Sequence, residues 1–196
     1  MTPRGPDAPR PAVPLNPLPP FPEVVGMLGD DPHAARLLAE VALRGGSVVV
    51  CGSRAGVLAG IETALVRGFV TPLEAEQARL RVRASDALDG FDRAGLVFAA
   101  GTHDPFRLAA VVRTRAVVCV VRPPGSGPLP AAAHDPSFPF PRRVLRVSFC
   151  EGSRLAVFPG PVTDPDTATA LAAWVKPFGL AATVFPAAAR LLPRAA

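Results

Sequence analysis

The sequence has no tyrosine, one tryptophan and only three cysteines, and Lys176 is the single lysine among its 21 basic residues. Cys51, Cys119 and Cys150 are far apart, and each belongs to a β-rich apolar run, which excludes the disulfide framework of a small secreted domain. They read as buried, reduced thiols. No CxxC or HxxxH spacing accompanies them, so no metal site is expected. Long uncharged runs are missing as well: nowhere do 18 apolar residues follow one another, and the N-terminus has no apolar core of the signal-peptide kind. A cytoplasmic location with no membrane partner is the expectation. The net charge is +5, yet the arginines are scattered and no aromatic interleaving or nucleic-acid motif accompanies them, which speaks against nucleic acid as a partner.

What is present is apolar content, 49% of 196 residues, enough for one domain with a substantial core and too few residues for two. Residues 1–22 include nine prolines and no apolar periodicity, and are expected to be a disordered tail. The domain is expected over 23–186, with a short tail over 187–196. Glu23 to Leu28 reads as a buried strand ending at Gly29. Asp30-Asp31-Pro32 then starts a helix carrying Ala34, Leu37, Leu38, Val41 and Ala42 on one face. Gly45-Gly46 stops that helix, and Ser47 to Cys51 is a second strand ending at Gly52, giving a βαβ unit.

A helix over 55–67 breaks at Gly68, and Thr71-Pro72-Leu73-Glu74 has the capping-box pattern that opens another. Arg81 to Ser85, Gly95 to Ala100 and Ala116 to Val121 read as strands, the last two continuous and apolar as in strands covered on both faces, with a helix-compatible stretch from Pro105 to Val112 between them. Beyond a Pro-rich loop, Arg143 to Cys150 and Arg154 to Phe158 are two more strands. Asp164 caps a helix reaching Lys176, and Ala181 to Phe185 supplies the final strand. Alternating strands and helices predict an α/β fold, a doubly wound, mainly parallel sheet in a three-layer αβα arrangement of the Rossmann type, with ligands at the carboxyl ends of the strands.

Several segments, in order, resemble the NAD-binding domain of the 3-hydroxyacyl-CoA dehydrogenases. They are Val25 to Gly29, Ala42 to Cys51, Val66 to Glu76, Ser85 to Leu88, Ala94 to Ala100 and Phe158 to Thr163, with the likeness spanning residues 23–186. The resemblance implies NAD or NADP as cofactor and a nucleotide or acyl-CoA as ligand. It also implies a helical C-terminal domain, to which no stretch of this sequence corresponds. The family's G-x-G-x-x-G loop maps onto Gly29, Asp31 and Ala34. Its second glycine lets bare backbone approach the pyrophosphate, and Asp31 there adds bulk and negative charge. The same Asp31, standing before Pro32, is also a good N-cap that needs no ligand. At the family's acidic ribose position stand Gly52, Ser53 and Arg54. Arg54 suits an extra 2′-phosphate or lies free in solvent.

The family's catalytic His corresponds to Ser148, which cannot act as that base, and Ala156 or Val157 stands where its paired Glu should be. The family's Ser and Asn substrate-orienting stretch corresponds to Val120 through Pro123. His103, with Asp104 beside it, follows the Leu96 to Ala100 strand and is the one substitute base the sequence offers; His33 and His134 have no evident role. Two functions compete, with a nucleic-acid or acidic-partner role through the arginines ranking third. One is a non-catalytic relative with an eroded site, used as a binding or regulatory module. The other is an active NAD(P)-dependent oxidoreductase that relies on Arg54 and His103, with a partner chain supplying the helical domain.

Overall fold

A computed structural model describes residues 22–101, 108, 112, 116–126 and 141–187. The tails, the loop over 127–140, His103, His134 and most of the helix expected over 105–112 lie outside the described residues. The strands are β1 (Val24–Leu28), β2 (Ser47–Cys51), β3 (Val82–Ala84), β4 (Leu96–Ala100), β5 (Val117–Val121), β6 (Val144–Cys150), β7 (Arg154–Pro159) and β8 (Ala181–Val184). Among the described residues the helices are α1 (Pro32–Leu43), α2 (Ala55–Val66), α3 (Pro72–Arg81) and α4 (Pro165–Val175).

Among the described residues one sheet holds eight strands, in the order β3-β2-β1-β4-β5-β6-β7-β8. Every pairing is parallel except β6 with β7, where a hairpin through Glu151, Gly152 and Ser153 sets Cys150 opposite Arg154. The chain leaves β1 toward β2 and β3 on one side and takes up β4 on the other. The order therefore reverses beside β1, and a doubly wound sheet opens its ligand crevice at such a point.

The side-chain alternation of strands divides the core into two faces. Met27, Val50, Phe98, Cys119, Val147 and Val157 face α1, α2, α3 and α4. Leu28, Val97, Val118, Val120 and Val144 face the other way, toward Phe91, Leu108 and Val112. β4 and β5 are buried at every position, as their unbroken apolar runs predict. On α1 the buried residues Ala34, Leu37, Leu38, Val41 and Ala42 recur at helical spacing, and burial of each larger aliphatic side chain contributes about 1.5–3 kcal/mol. The predicted capping box is present at α3: the Thr71 hydroxyl accepts from the Glu74 amide while Glu74 accepts from the Thr71 amide. Gly26 in β1 is a packing requirement. A Cβ there would lie 2.6 Å from the ring of fully buried Phe91, so only hydrogen lets the ring rest on the strand.

Of the three thiols, only Cys119 is fully buried, and desolvation pushes it far above the ordinary thiol range. Cys51 and Cys150 are half-buried, which corrects the expectation of three buried cysteines. All three are free. Cys51 and Cys150 end β2 and β6, where the sheet is less completely covered, whereas Cys119 is at the centre of β5. Among the described residues no helix is long and apolar enough to cross a membrane, and no group of three or more His, Cys, Asp or Glu is placed to hold a metal ion.

Candidate functional site

The crevice above the carboxyl ends of β1 and β2 is shaped by two loops in contact. Gly29, with φ of +78°, turns the chain out of β1, and its amide donates to the carbonyl of Cys51 at 2.9 Å. Gly52, with φ of +131°, turns it out of β2, and a Cβ at Gly52 would meet the Gly29 carbonyl oxygen at 3.4 Å. Both positions need glycine, since these backbone conformations are strained for residues with a side chain. The close loop approach of a dinucleotide fold is thus in place.

The anion-binding capacity of that loop is not free. A helix N-terminus attracts phosphate because its first amides lack partners. In α1 the first helical residue, Pro32, has no N–H. The next two amides, of His33 and Ala34, donate to one carboxylate oxygen of Asp31 at 3.0 and 2.8 Å, and the amide of Ala35 donates to the Asp31 carbonyl at 2.9 Å. Asp31 therefore satisfies the whole first turn, with extended backbone (φ −140°, ψ 122°) suited to a cap. Ala34 is fully buried beneath it.

Asp30, whose role no local pattern announces, closes the neighbouring space. Its carboxylate accepts from the amide of Ser53 at 3.1 Å and so bridges the loop after β1 to the loop after β2. The Ser53 hydroxyl in turn accepts from the amide of Ala55 at 3.2 Å, at the start of α2. Arg54 is exposed, has helical backbone and makes no capping bond. Burial raises the Cys51 thiol above its usual value, and the Asp86 carboxylate adds to the effect. Two carboxylates, Asp30 and Asp31, thus stand where the fold would receive a pyrophosphate and a ribose.

Farther along the sheet, His33 stacks on Phe149 of β6, with ring centroids 5.8 Å apart and planes 15° from parallel. Phe149 is tilted against Phe98 of β4 at 6.2 Å. This gives His33 a packing partner that no sequence pattern announced. Ser148, at the position of the family His, is buried and directly opposite Ala156 on β7. Because Phe149 lies on the α1 face of the sheet, its neighbour Ser148 lies on the opposite face. Val157, the other candidate for the Glu position, is fully buried. No carboxylate or imidazole accompanies Ser148 through the β6–β7 register. The Arg122 amide donates to the Val147 carbonyl, so the stretch after β5 is used to hold β6.

No family model matches the chain, and no curated protein matches it. Solved structures do. The (S)-3-hydroxybutyryl-CoA dehydrogenase PaaH1 from Ralstonia eutropha superposes with a TM-score of 0.70 at 17% identity, covering 86% of this chain and 65% of that one. The 3-hydroxybutyryl-CoA dehydrogenase from Escherichia coli K12 gives 0.68 at 19% identity, over 82% of this chain and 37% of that one. FadB2 of M. tuberculosis gives 0.65 at 21% identity, over 86% and 65%. The chain spans less than two thirds of the length of each of these proteins. What it shares with them is architecture, a Rossmann-like αβα fold with a mainly parallel, doubly wound sheet.

Proposed function

We propose that this chain is a catalytically inactive, 3-hydroxyacyl-CoA dehydrogenase-like protein whose dinucleotide site is eroded and whose scaffold acts as a binding or regulatory module. The observation that carries this reading is Asp31. Its carboxylate holds the two α1 amides that a pyrophosphate would need, and it presents a negative charge to any phosphate that approaches. As they stand, the residues of this loop do not fit the diphosphate of NAD. Ser148 with Ala156 adds a second argument, because that pair supplies neither a base nor a carboxylate to hold one.

The competing reading is an active NAD(P)-dependent 3-hydroxyacyl-CoA oxidoreductase completed by a partner chain. One observation favours it: the exposed guanidinium of Arg54, beside Gly52 at the start of α2, suits a 2′-phosphate. Calorimetric titration with NAD⁺, NADH and NADPH separates the two, together with an assay of acetoacetyl-CoA reduction. The inactive reading expects no heat to millimolar cofactor and no turnover. Micromolar binding of any of the three, or turnover abolished by His103→Ala, overturns it.

A further inference from the structure

A second concavity lies away from the crevice, on the sheet face opposite α1, where the chain between β3 and β4 carries only a 3-10 turn (Leu88–Phe91) and, among the described residues, no helix covers the sheet. Its volume is about 580 Å³, within the range of small-molecule sites. The floor is cross-strand: Val24 pairs with Ser47 and Val49 pairs with Arg83, and all four line the groove. Gly90 and Ser85 form a wall, in such close contact that a Cβ on Gly90 would lie 2.5 Å from the Ser85 hydroxyl.

Two arginines line this space, Arg83 on β3 and Arg93 after the turn, together with one acidic residue, Asp92. Arg83 is exposed and has no ion pair or hydrogen bond to any described residue. Arg93 Nε lies 3.9 Å from an Asp92 carboxylate oxygen, with both side chains well exposed, a pair of little energetic weight. Elsewhere the half-buried Arg79 of α3 is held by Glu62 and Glu76. The groove therefore combines a partly apolar floor with two arginines against one aspartate among its described lining residues. Guanidinium forks match the oxygens of a phosphate in pairs, and a dianion answers two of them at once.

We infer that this groove binds a phosphorylated small molecule, with Arg83 and Arg93 on the phosphomonoester and Val24 and Val49 under its sugar or ring. Such a site is independent of the dinucleotide crevice and stands whether or not that crevice takes a cofactor. The test is calorimetry on the full chain with AMP, ribose 5-phosphate, adenosine, sulfate and citrate. It is run on the unaltered protein, on Arg83→Ala/Arg93→Ala, and on Arg54→Ala as a control at the crevice. Binding of AMP or ribose 5-phosphate is expected, with adenosine at least tenfold weaker and each lost arginine costing roughly tenfold or more. AMP alone would assign ring recognition to the floor, and both ligands together would assign a sugar phosphate. No binding of either ligand at millimolar concentration overturns the inference. So does sulfate or citrate binding as tightly as the phosphomonoesters, or a loss seen with Arg54→Ala and not with the double variant, whose far-ultraviolet circular dichroism should match that of the parent.

Discussion

Replacing Asp31 with glycine should turn the closed loop into an anion site. Two things change at once. A unit negative charge about 4 Å from an incoming phosphate costs about 1 kcal/mol in bulk water and about 4 at an effective dielectric near 20; Asp31 is half-buried, which places the repulsion at about 2–3 kcal/mol. The amides of His33 and Ala34, now held at 3.0 and 2.8 Å, also become free to donate. Relief of repulsion alone corresponds to roughly 30–150-fold in affinity, and donation to a charged oxygen adds to it. The fold should tolerate the change, because Asp to Gly at an N-cap costs only a few tenths of a kcal/mol, or a drop of about 1–2 °C in Tm.

The assay is the emission of NADH itself. Trp174 is a poor reporter, since it packs against Phe178, whose ring lies by Arg44 at the far end of α1 from the loop. Asp31→Gly should bind NADH at least roughly a hundredfold more tightly than the parent. Asp31→Asn, which removes the charge and keeps a capping oxygen, should fall between them. A folded Asp31→Gly protein with no gain for NADH would refute the argument that this carboxylate closes the site.

Three further outcomes follow from the packing and titration of the chain. Gly26→Ala should destabilise by about 1–3 kcal/mol in urea unfolding, because the new methyl group meets the buried ring of Phe91 at 2.6 Å and the ring must yield; unchanged stability would mean that the ring moves freely. Under native conditions Cys119 should resist thiol reagents that reach Cys51 and Cys150, and should react only on unfolding. Counting labelled sites by mass spectrometry checks this. Glu74 has its carboxyl pKa lowered by the amide and hydroxyl of Thr71, so its contribution to stability is complete above the usual carboxylate value and is lost as pH falls through the lowered one. Urea midpoints measured across the acid range should therefore lose part of their slope in Glu74→Gln, and an identical pH profile would argue against the capping box in solution.

The alternation of elements was legible because its punctuation is local. Asp31-Pro32 starts α1, the Thr71 to Glu74 box starts α3, and the unbroken apolar run of β5 requires cover on both faces, each signal lying within a few residues of sequence. The site was half legible. That Asp31 was both an N-cap and an obstacle to phosphate could be read from one position in a loop. Its neighbour Asp30 could not be read in this way, since its partner Ser53 lies across two elements and comes near only when β1 and β2 pair in register. The stack of His33 on Phe149 and the contact of Gly26 with Phe91 likewise depend on which strands become neighbours. The same holds for Arg83 and Arg93, scattered among 21 basic residues in the sequence and brought to one groove by the fold.

The place of β1 inside the sheet, with a strand on each side, also bears on how the chain reaches this structure. Val25 pairs with Val48 on one side and with Leu96 on the other, so the first strand to be synthesised has to wait for the fourth before both its edges are bonded. The hairpin of β6 and β7, by contrast, closes across three residues and can form as soon as it is made. Long-range parallel pairing is slow because the closure entropy of the intervening chain opposes it until many contacts form together. A ribosome-bound chain that stops short of residue 100 should hold β1 and β2 with an open apolar edge, and pulse proteolysis of stalled chains should show protection of residues 24–51 rising abruptly once β4 has left the exit tunnel.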